Sequence, residues 1–256
     1  MPYKVRLADA GAYEGSDIQK WLWDNWLDSW ETTDRIVREH KARLLNVING
    51  DVGDKPGHHG TTQSVSGGDE AERYILQQIY GEIKKRRKVG VHLLRGTPAH
   101  SSEAGDTEEW LGEWLRSERD EHGQWSSWQK RIEIHGLLFD FQHHGGKVGG
   151  NPRNKPNTTL MTAFDIWANH AQKGLRHPDI AVRSHLHVFC DTEHQHPTRL
   201  IITPSWQALT AFSHKLPKVA NDIPDFGSVL IVVEPDGQYE VIPLLYTPNQ
   251  PPVWRP

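Results

Sequence analysis

Over residues 16–40 the apolar positions return at helical spacing. Trp23, Trp26, Leu27 and Trp30 fall on one stripe, and Ser16 stands where a helix is capped. The spacing predicts a helix over 16–40 with its tryptophans in a core. At LLNVINGDVGD, 44–54, the pattern changes to a short apolar run that stops at Gly50 and is followed by Asp51 and Asp54. That run predicts a strand whose carboxyl end carries acids, the place where open α/β sheets hold ligands. A second helix is predicted over about 69–87. It ends in the basic run KKRRK, which suits the negative end of a helix dipole and is read as a solvated face.

VGVHLLRG, 89–96, predicts another strand that closes in glycine, and helices are predicted over about 107–119 and 159–173. RIEIHGLLFDFQHH, 131–144, has strand-like alternation. DIAVRSHLHVF predicts a short strand and a turn with His185 and His187 two residues apart. TRLIITP, GSVLIVVEP and QYEVIPLLY predict a strand-rich last third, with EPDGQ as a hairpin turn. Residues 55–68 and 143–157 are polar and Gly-rich and read as loops. The alternation of helices and strands predicts an α/β fold, and without an internal repeat or linker a single domain over 1–256 is expected.

Composition narrows the function. Hydrophobic content is only 36%, yet 11 Trp carry more aromatic surface than a disordered chain would. A net charge of −4 argues against gripping long nucleic acid by bulk electrostatics. One cysteine, Cys190, rules out an intrachain disulfide framework and fits a reducing compartment. No apolar run reaches the ~20 residues of a membrane span and no secretory signal opens the chain, so no membrane association and a cytoplasmic location are expected.

The count that changes the picture is 16 His, several of them in pairs: His58 with His59, His143 with His144, His185 with His187, His194 with His196. Imidazole is the commonest side-chain metal ligand. Four segments, GDVGD at 50–54, RGTPAH at 95–100, QHHGG at 142–146 and SHLHVF at 184–189, each place oxygen or nitrogen ligands after an apolar run. In HLH, a regular strand would set both imidazoles on one face. The sequence contains no GxxxxGK[ST], GxSxG, GxGxxG or HExxH, which sets aside P-loop, serine-hydrolase, dinucleotide and zinc-protease chemistry.

In this order the motifs resemble those of the calcineurin-like metallophosphoesterases: D-x-H, G-D-x-x-D, G-N-H-[DE], a strand-end His often followed by Gly, and G-H-x-H. GDVGD matches the second in full. SHLH matches the last, with Ser184 replacing Gly. HHGG supplies the fourth through His144, or else His143. RGTPAH is a divergent third motif. The Trp-rich helix followed by NGD, HHGTTQ and RGTPAH resembles a subgroup associated with phages. His135 also precedes a glycine, but it sits inside the apolar run and is read as structural; His194 and His196 are read as solvated.

The resemblance implies a four-layer β-sandwich flanked by helices, and hydrolysis of a phosphomonoester or phosphodiester, nucleotides and nucleic acids included. It implies one or two divalent ions (Mn, Fe, Zn or Mg). Asp51 would bridge them, with Thr97, His143, His144, His185 and His187 as further ligands. His100 would donate a proton to the leaving group, and His58, His59, Lys147 and Arg153 would line the substrate side. The first motif is missing: the nearest acid, Asp9, lies in D-A-G. Either a first strand bearing D-x-H lies upstream of this chain, the reading preferred here, or the protein works with an altered site. The ion held by Asp51, His144, His185 and Thr97 should keep more of its ligands than the one left with Asp51 and His187. Two other readings stand beside hydrolysis: a catalytically silent relative that binds phosphate or acts as a scaffold, and a structural metal protein.

Overall fold

The helix predicted first forms as α1, Asp17–Glu39, and the Ser16 amide donates to the Gln19 side-chain oxygen at 2.8 Å, closing its first turn. Leu22, Trp23 and Trp30 are buried on the inner face, while Asp24 and Asp28 face water. Trp26 stands edge-on to Trp30, Tyr80 and Trp206, with ring centroids 5.7, 6.3 and 5.4 Å apart. Such T-shaped pairs set the positive ring edge against the negative face of the neighbour, so the tryptophan stripe anchors α1 to the rest of the core.

This is a computed structural model, and it describes residues 2–6, 10–53, 69–86, 89–98, 100, 105–146, 155–208 and 224–249. Four helices and several sheets make it a mixed α/β chain among those residues. Helix α2 spans Asp69–Lys84, α3 Asp106–Leu115 and α4 Lys155–Gln172. Helix α3 ends four residues sooner than predicted, because Arg116 turns into the left-handed region at φ 58°. Helix α4 starts four residues earlier than predicted. The basic run after α2 also departs from expectation at Arg86. Its guanidinium donates to both Asp34 oxygens at 2.8 to 3.1 Å and covers the Trp30 ring at 4.2 Å. A carboxylate and an indole presented by α1 make it a structural cation instead of a solvated one.

The strands form several sheets. The short hairpin β1 (Lys4–Arg6) and β2 (Ala12–Glu14) is separate from the others. Strands β3 (Leu45–Asn49) and β4 (Gly90–Leu94) pair in parallel. The largest sheet has the order β5-β6-β7-β9-β8, from β5 (Gln129–Ile134), β6 (Leu137–Gln142), β7 (Ile180–Arg183), β8 (Cys190–Asp191) and β9 (Arg199–Ile202). Within it β6, β7 and β9 run parallel. Strands β10 (Phe226–Val233) and β11 (Tyr239–Tyr246) form the last hairpin, turning at Glu234–Gln238 as EPDGQ predicts. The run 131–144 is a hairpin too. His135 at φ 48° and Gly136 at φ 85° make its turn, so His135 is an exposed turn residue and not part of a strand interior.

Alternation decides what each face of the large sheet touches. Phe139, Phe141, Ile180, Val182 and Ile201 form one buried cluster, and Val47 of β3 with Val229, Ile231 and Val233 of β10 pack against it. Ala181, Leu200 and Ile202 point the other way and meet Ala163 and Ile166 of α4. On its far side β4 gives Val91 and Leu93 to a cluster with Trp30, Leu76 and Leu111 of the first three helices. Strands β3 and β10 thus lie on the same face of the large sheet. Among the described residues, β3 ladders only with β4, and β10 only with β11 apart from a bridge to Ser205. No helix among the described residues is long and apolar enough to cross a membrane.

His92 lies within β4 with a buried Nδ1 that has no hydrogen-bond partner among the described residues. Burial first, then Lys130, pushes its pKa below the ordinary 6.5, with Glu118 opposing. The unfolded chain therefore binds this proton more readily than the folded one, and stability contributed above 6.5 is lost as pH falls below it. Melting temperatures measured from pH 7.5 down to 5 are expected to fall less steeply in His92→Val than in the parent.

Candidate metal centre

Parallel strands bring their carboxyl ends to one edge, and the site is built there. Just beyond β3, Gly50 (φ 83°) and Asp51 (φ 52°) both adopt left-handed backbone. A Cβ on Gly50 would lie 2.6 Å from His143 Nδ1 and 2.8 Å from the Gly96 Cα. A Cβ on Gly96, beyond β4, would come within 2.2 Å of the Asp51 amide and of its Oδ1. Glycine at both positions is what allows the ends of β3 and β4 to close around Asp51.

The two carboxylate oxygens of Asp51 do different work. Oδ1 accepts the Thr97 amide at 2.6 Å and the Thr97 hydroxyl at 2.9 Å. Oδ2 faces His143 Nε2 at 2.9 Å and His185 Nδ1 at 3.8 Å. Burial acts to raise the Asp51 pKa, but the His143 and His185 imidazoles, aided by the charge of His143 and His100, hold it far below the usual carboxylate range. Asp51 is therefore ionised, with one oxygen fixed and the other turned toward imidazole nitrogens.

His143 is buried, and its Nδ1 donates to the Asn49 carbonyl at 2.6 Å. That bond leaves Nε2 facing Asp51, in a position that falls short of hydrogen-bond geometry and gives the atom no partner. A ring nitrogen and a carboxylate oxygen this close, not hydrogen-bonded to each other, can both turn to a shared cation. His144 and His185 complete the group, with their ring centroids 4.8 and 5.3 Å from that of His143 and 4.7 Å from one another. One ligand nitrogen from each of the three histidines lies within 4.8 Å of the other two. A buried imidazole whose inner nitrogen is held by a carbonyl, beside an ionised carboxylate and two exposed imidazoles, fits a divalent cation.

The other expected residues take different places. Thr97 is on the Asp51 oxygen that points away from the histidines. His185 and His187 have φ of 72° and 54°, so SHLH is not a regular strand and alternation does not aim them together. His185 reaches the cluster, whereas His187 lies outside it. Burial pushes His187 down to about 4, Asp51 opposes this, and His100, His185 and His143 add to it. Burial likewise lowers His144, reinforced by His143 and His185 and opposed by Asp51. His100 Nδ1 is 3.2 Å from the Gly53 carbonyl. Asp9, Asp54, His58, His59, Lys147 and Arg153 lie outside the described residues.

Two contributors carried no chemical signature in the sequence. Asn49 ends β3, and its side chain donates to the Gln142 carbonyl at 3.1 Å and to Ser184 Oγ at 2.7 Å. Glu108, fully buried in α3, accepts the Gly96 amide at 3.1 Å and so steadies the turn that carries Thr97. The one available hint was a polar residue within an apolar run, as in LLNVIN. A cavity of about 700 Å³ at the opposite ends of β3 and β4 is lined by both signs of charge, including Asp34, Arg43 and Glu118, and has no part in this cluster.

No family model matches the chain, and no curated protein matches it. Among solved structures it is similar to Vps29 from Entamoeba histolytica, in a crystal structure of the wild-type protein complexed with Zn²⁺. Identity is 15%, the match covers 79% of this chain and 98% of that one, and the TM-score is 0.40.

Gly96→Ala is expected to cost about 2 kcal/mol, as for overpacking in a closed site, because the new methyl meets backbone and a fixed carboxylate. Urea denaturation measures this, and Gly81→Ala, where an added Cβ meets nothing within 4 Å and the backbone is not left-handed, gives the control for the loss of glycine's backbone freedom alone.

Proposed function

We propose that this chain is a metal-dependent phosphoesterase whose ion is held by Asp51, His143, His144 and His185. The observation that supports it is the convergence of one ionised carboxylate and three imidazoles from the ends of three strands. Three nitrogens to one carboxylate oxygen favour zinc or iron over magnesium. A divalent ion, when bound, lowers the pKa of a coordinated water and neutralises phosphoryl oxygens, the two obstacles to hydrolysing an anionic ester.

The chain's own residues supply the remainder. Thr97 holds Asp51 in one orientation, so its second oxygen does not have to be ordered when ligand arrives. His143, fixed by Asn49, is the buried wall of the site. His144 and His185 are exposed and form the side open to substrate. His100, whose Nδ1 is 3.2 Å from the carbonyl of Gly53, two residues past Asp51, is the candidate to protonate the leaving alkoxide. His187 serves best as a neutral imidazole beside the centre. Thr97 and His187 become ligands only if the ion, or a second one, lies deeper than the three-histidine cluster. The substrate is a phosphomonoester or phosphodiester, with nucleotides and nucleic acids within that class.

Purified chain supplied with Zn²⁺ or Mn²⁺ is expected to hydrolyse p-nitrophenyl phosphate or its bis ester, to lose that activity to a chelator, and to drop by about two orders of magnitude in Asp51→Asn. Metal bound without hydrolysis of either ester would identify a silent phosphate-binding relative. No metal bound at all would overturn the assignment of the site.

A further inference from the structure

Ser184 stands where the G-H-x-H pattern has glycine, and its hydroxyl joins two sheets. We infer that Asn49 and Ser184 form a clasp that positions the histidines of the metal centre, a role that rests on the metal reading above. Asn49 Nδ2 donates to the carbonyl of Gln142, at the end of β6, at 3.1 Å, and to Ser184 Oγ, just past β7, at 2.7 Å. The Asn49 carbonyl meanwhile accepts from His143 Nδ1 at 2.6 Å. The Ser184 amide donates to the His143 carbonyl at 3.1 Å. Ser184 Oγ accepts from Asn49 and also shares a hydrogen bond with Thr203 Oγ1, 2.8 Å away and just past β9, in which either hydroxyl can donate. One amide and one hydroxyl thus tie together the ends of β3, β6, β7 and β9.

Each tie is next to a residue of the cluster. Asn49 is two residues before Asp51, Gln142 is one before His143, and Ser184 is one before His185. Without the clasp, the strands bearing these ligands belong to two sheets that share no ladder among the described residues. Asn49 Oδ1 is buried and has no hydrogen-bond partner among the described residues. Its orientation is therefore dictated by the two N–H bonds, at the cost of an unsatisfied acceptor, and a flipped amide would set oxygen against the Gln142 carbonyl. A side chain that tolerates this cost beside a ligand cluster is holding geometry, not merely filling space. The consequence at the cluster is specific. The clasp keeps the Asn49 carbonyl on His143 Nδ1, which commits that ring to the Nδ1–H tautomer and presents the Nε2 lone pair to the ion.

The test uses the full chain, with cobalt as the probe, and compares Ser184→Ala with Ser184→Thr, which keeps the hydroxyl. Ser184→Ala is expected to weaken Co²⁺ binding by about 10- to 100-fold and to alter the visible Co²⁺ spectrum, with Ser184→Thr restoring both. In metal-free protein, imidazole ¹⁵N shifts are expected to show His143 as the Nδ1–H tautomer in the parent and in Ser184→Thr, and as a tautomer mixture in Ser184→Ala. Should Ser184→Ala fail to fold, Thr203→Val, which leaves Asn49 and Ser184 in place, is expected to shift the same readouts less far. Co²⁺ affinity within twofold of the parent, together with an unchanged spectrum and tautomer, would overturn the clasp. A parent that binds no Co²⁺ would overturn the metal reading, and the metal-free ¹⁵N shifts would still judge the clasp by itself.

Discussion

At Asp51 two backbone turns approach each other more closely than any side chain but hydrogen allows. Gly50 lies against the His143 ring and Gly96 against the Asp51 carboxylate. The rest of the site follows from that approach. With no Cβ in the way, the Thr97 amide reaches one Asp51 oxygen, and the other oxygen is left to face imidazoles. An ionised carboxylate in a largely buried position is expensive unless nearby charge and hydrogen bonds compensate, and here the histidines and Thr97 supply both.

The layers beneath explain why three histidines from distant parts of the chain meet it. Strands β6 and β7 are parallel neighbours, so the residues after each emerge side by side. The buried Arg183 guanidinium, at the end of β7, donates to the Asp140 carboxylate at 2.5 Å and to the Asp140 carbonyl at 2.7 Å, pinning the two strands together. Gln129 contacts the other Asp140 oxygen. A Cβ on Gly145 or Gly146 would sit 3.3 or 3.2 Å from the Arg183 side chain, so the glycines of HHGG let the chain pass over that arginine after presenting His143 and His144. Breaking such a buried pair leaves a charge without its partner, which makes it a fixed point of the fold.

The histidines divide by environment more than by motif. His143 is enclosed, with one nitrogen committed to a carbonyl, whereas His144 and His185 are exposed. The pairing in HHGG therefore gives two unlike groups: one sets the geometry from inside and the other meets solvent. SHLH divides in a different way, since left-handed backbone at both histidines sends only the first into the cluster. Neither division follows from residue type.

Periodicity and residue chemistry in the sequence were enough to place the main elements: the tryptophan helix, the apolar strands ending in glycine, the C-terminal hairpin, and the carboxylate and histidines that could bind a cation. These are local properties, fixed by spacing, side-chain volume and ligand type. The hairpin turn at His135, the Arg86 pair with Asp34, the separation of His187 from His185, and the joining of Asn49 to Ser184 across 135 positions were decided only in the tertiary structure. Each depends on which group another segment brings within hydrogen-bond reach, and hydrogen bonds act over about 3 Å, a distance that separation along a chain does not encode.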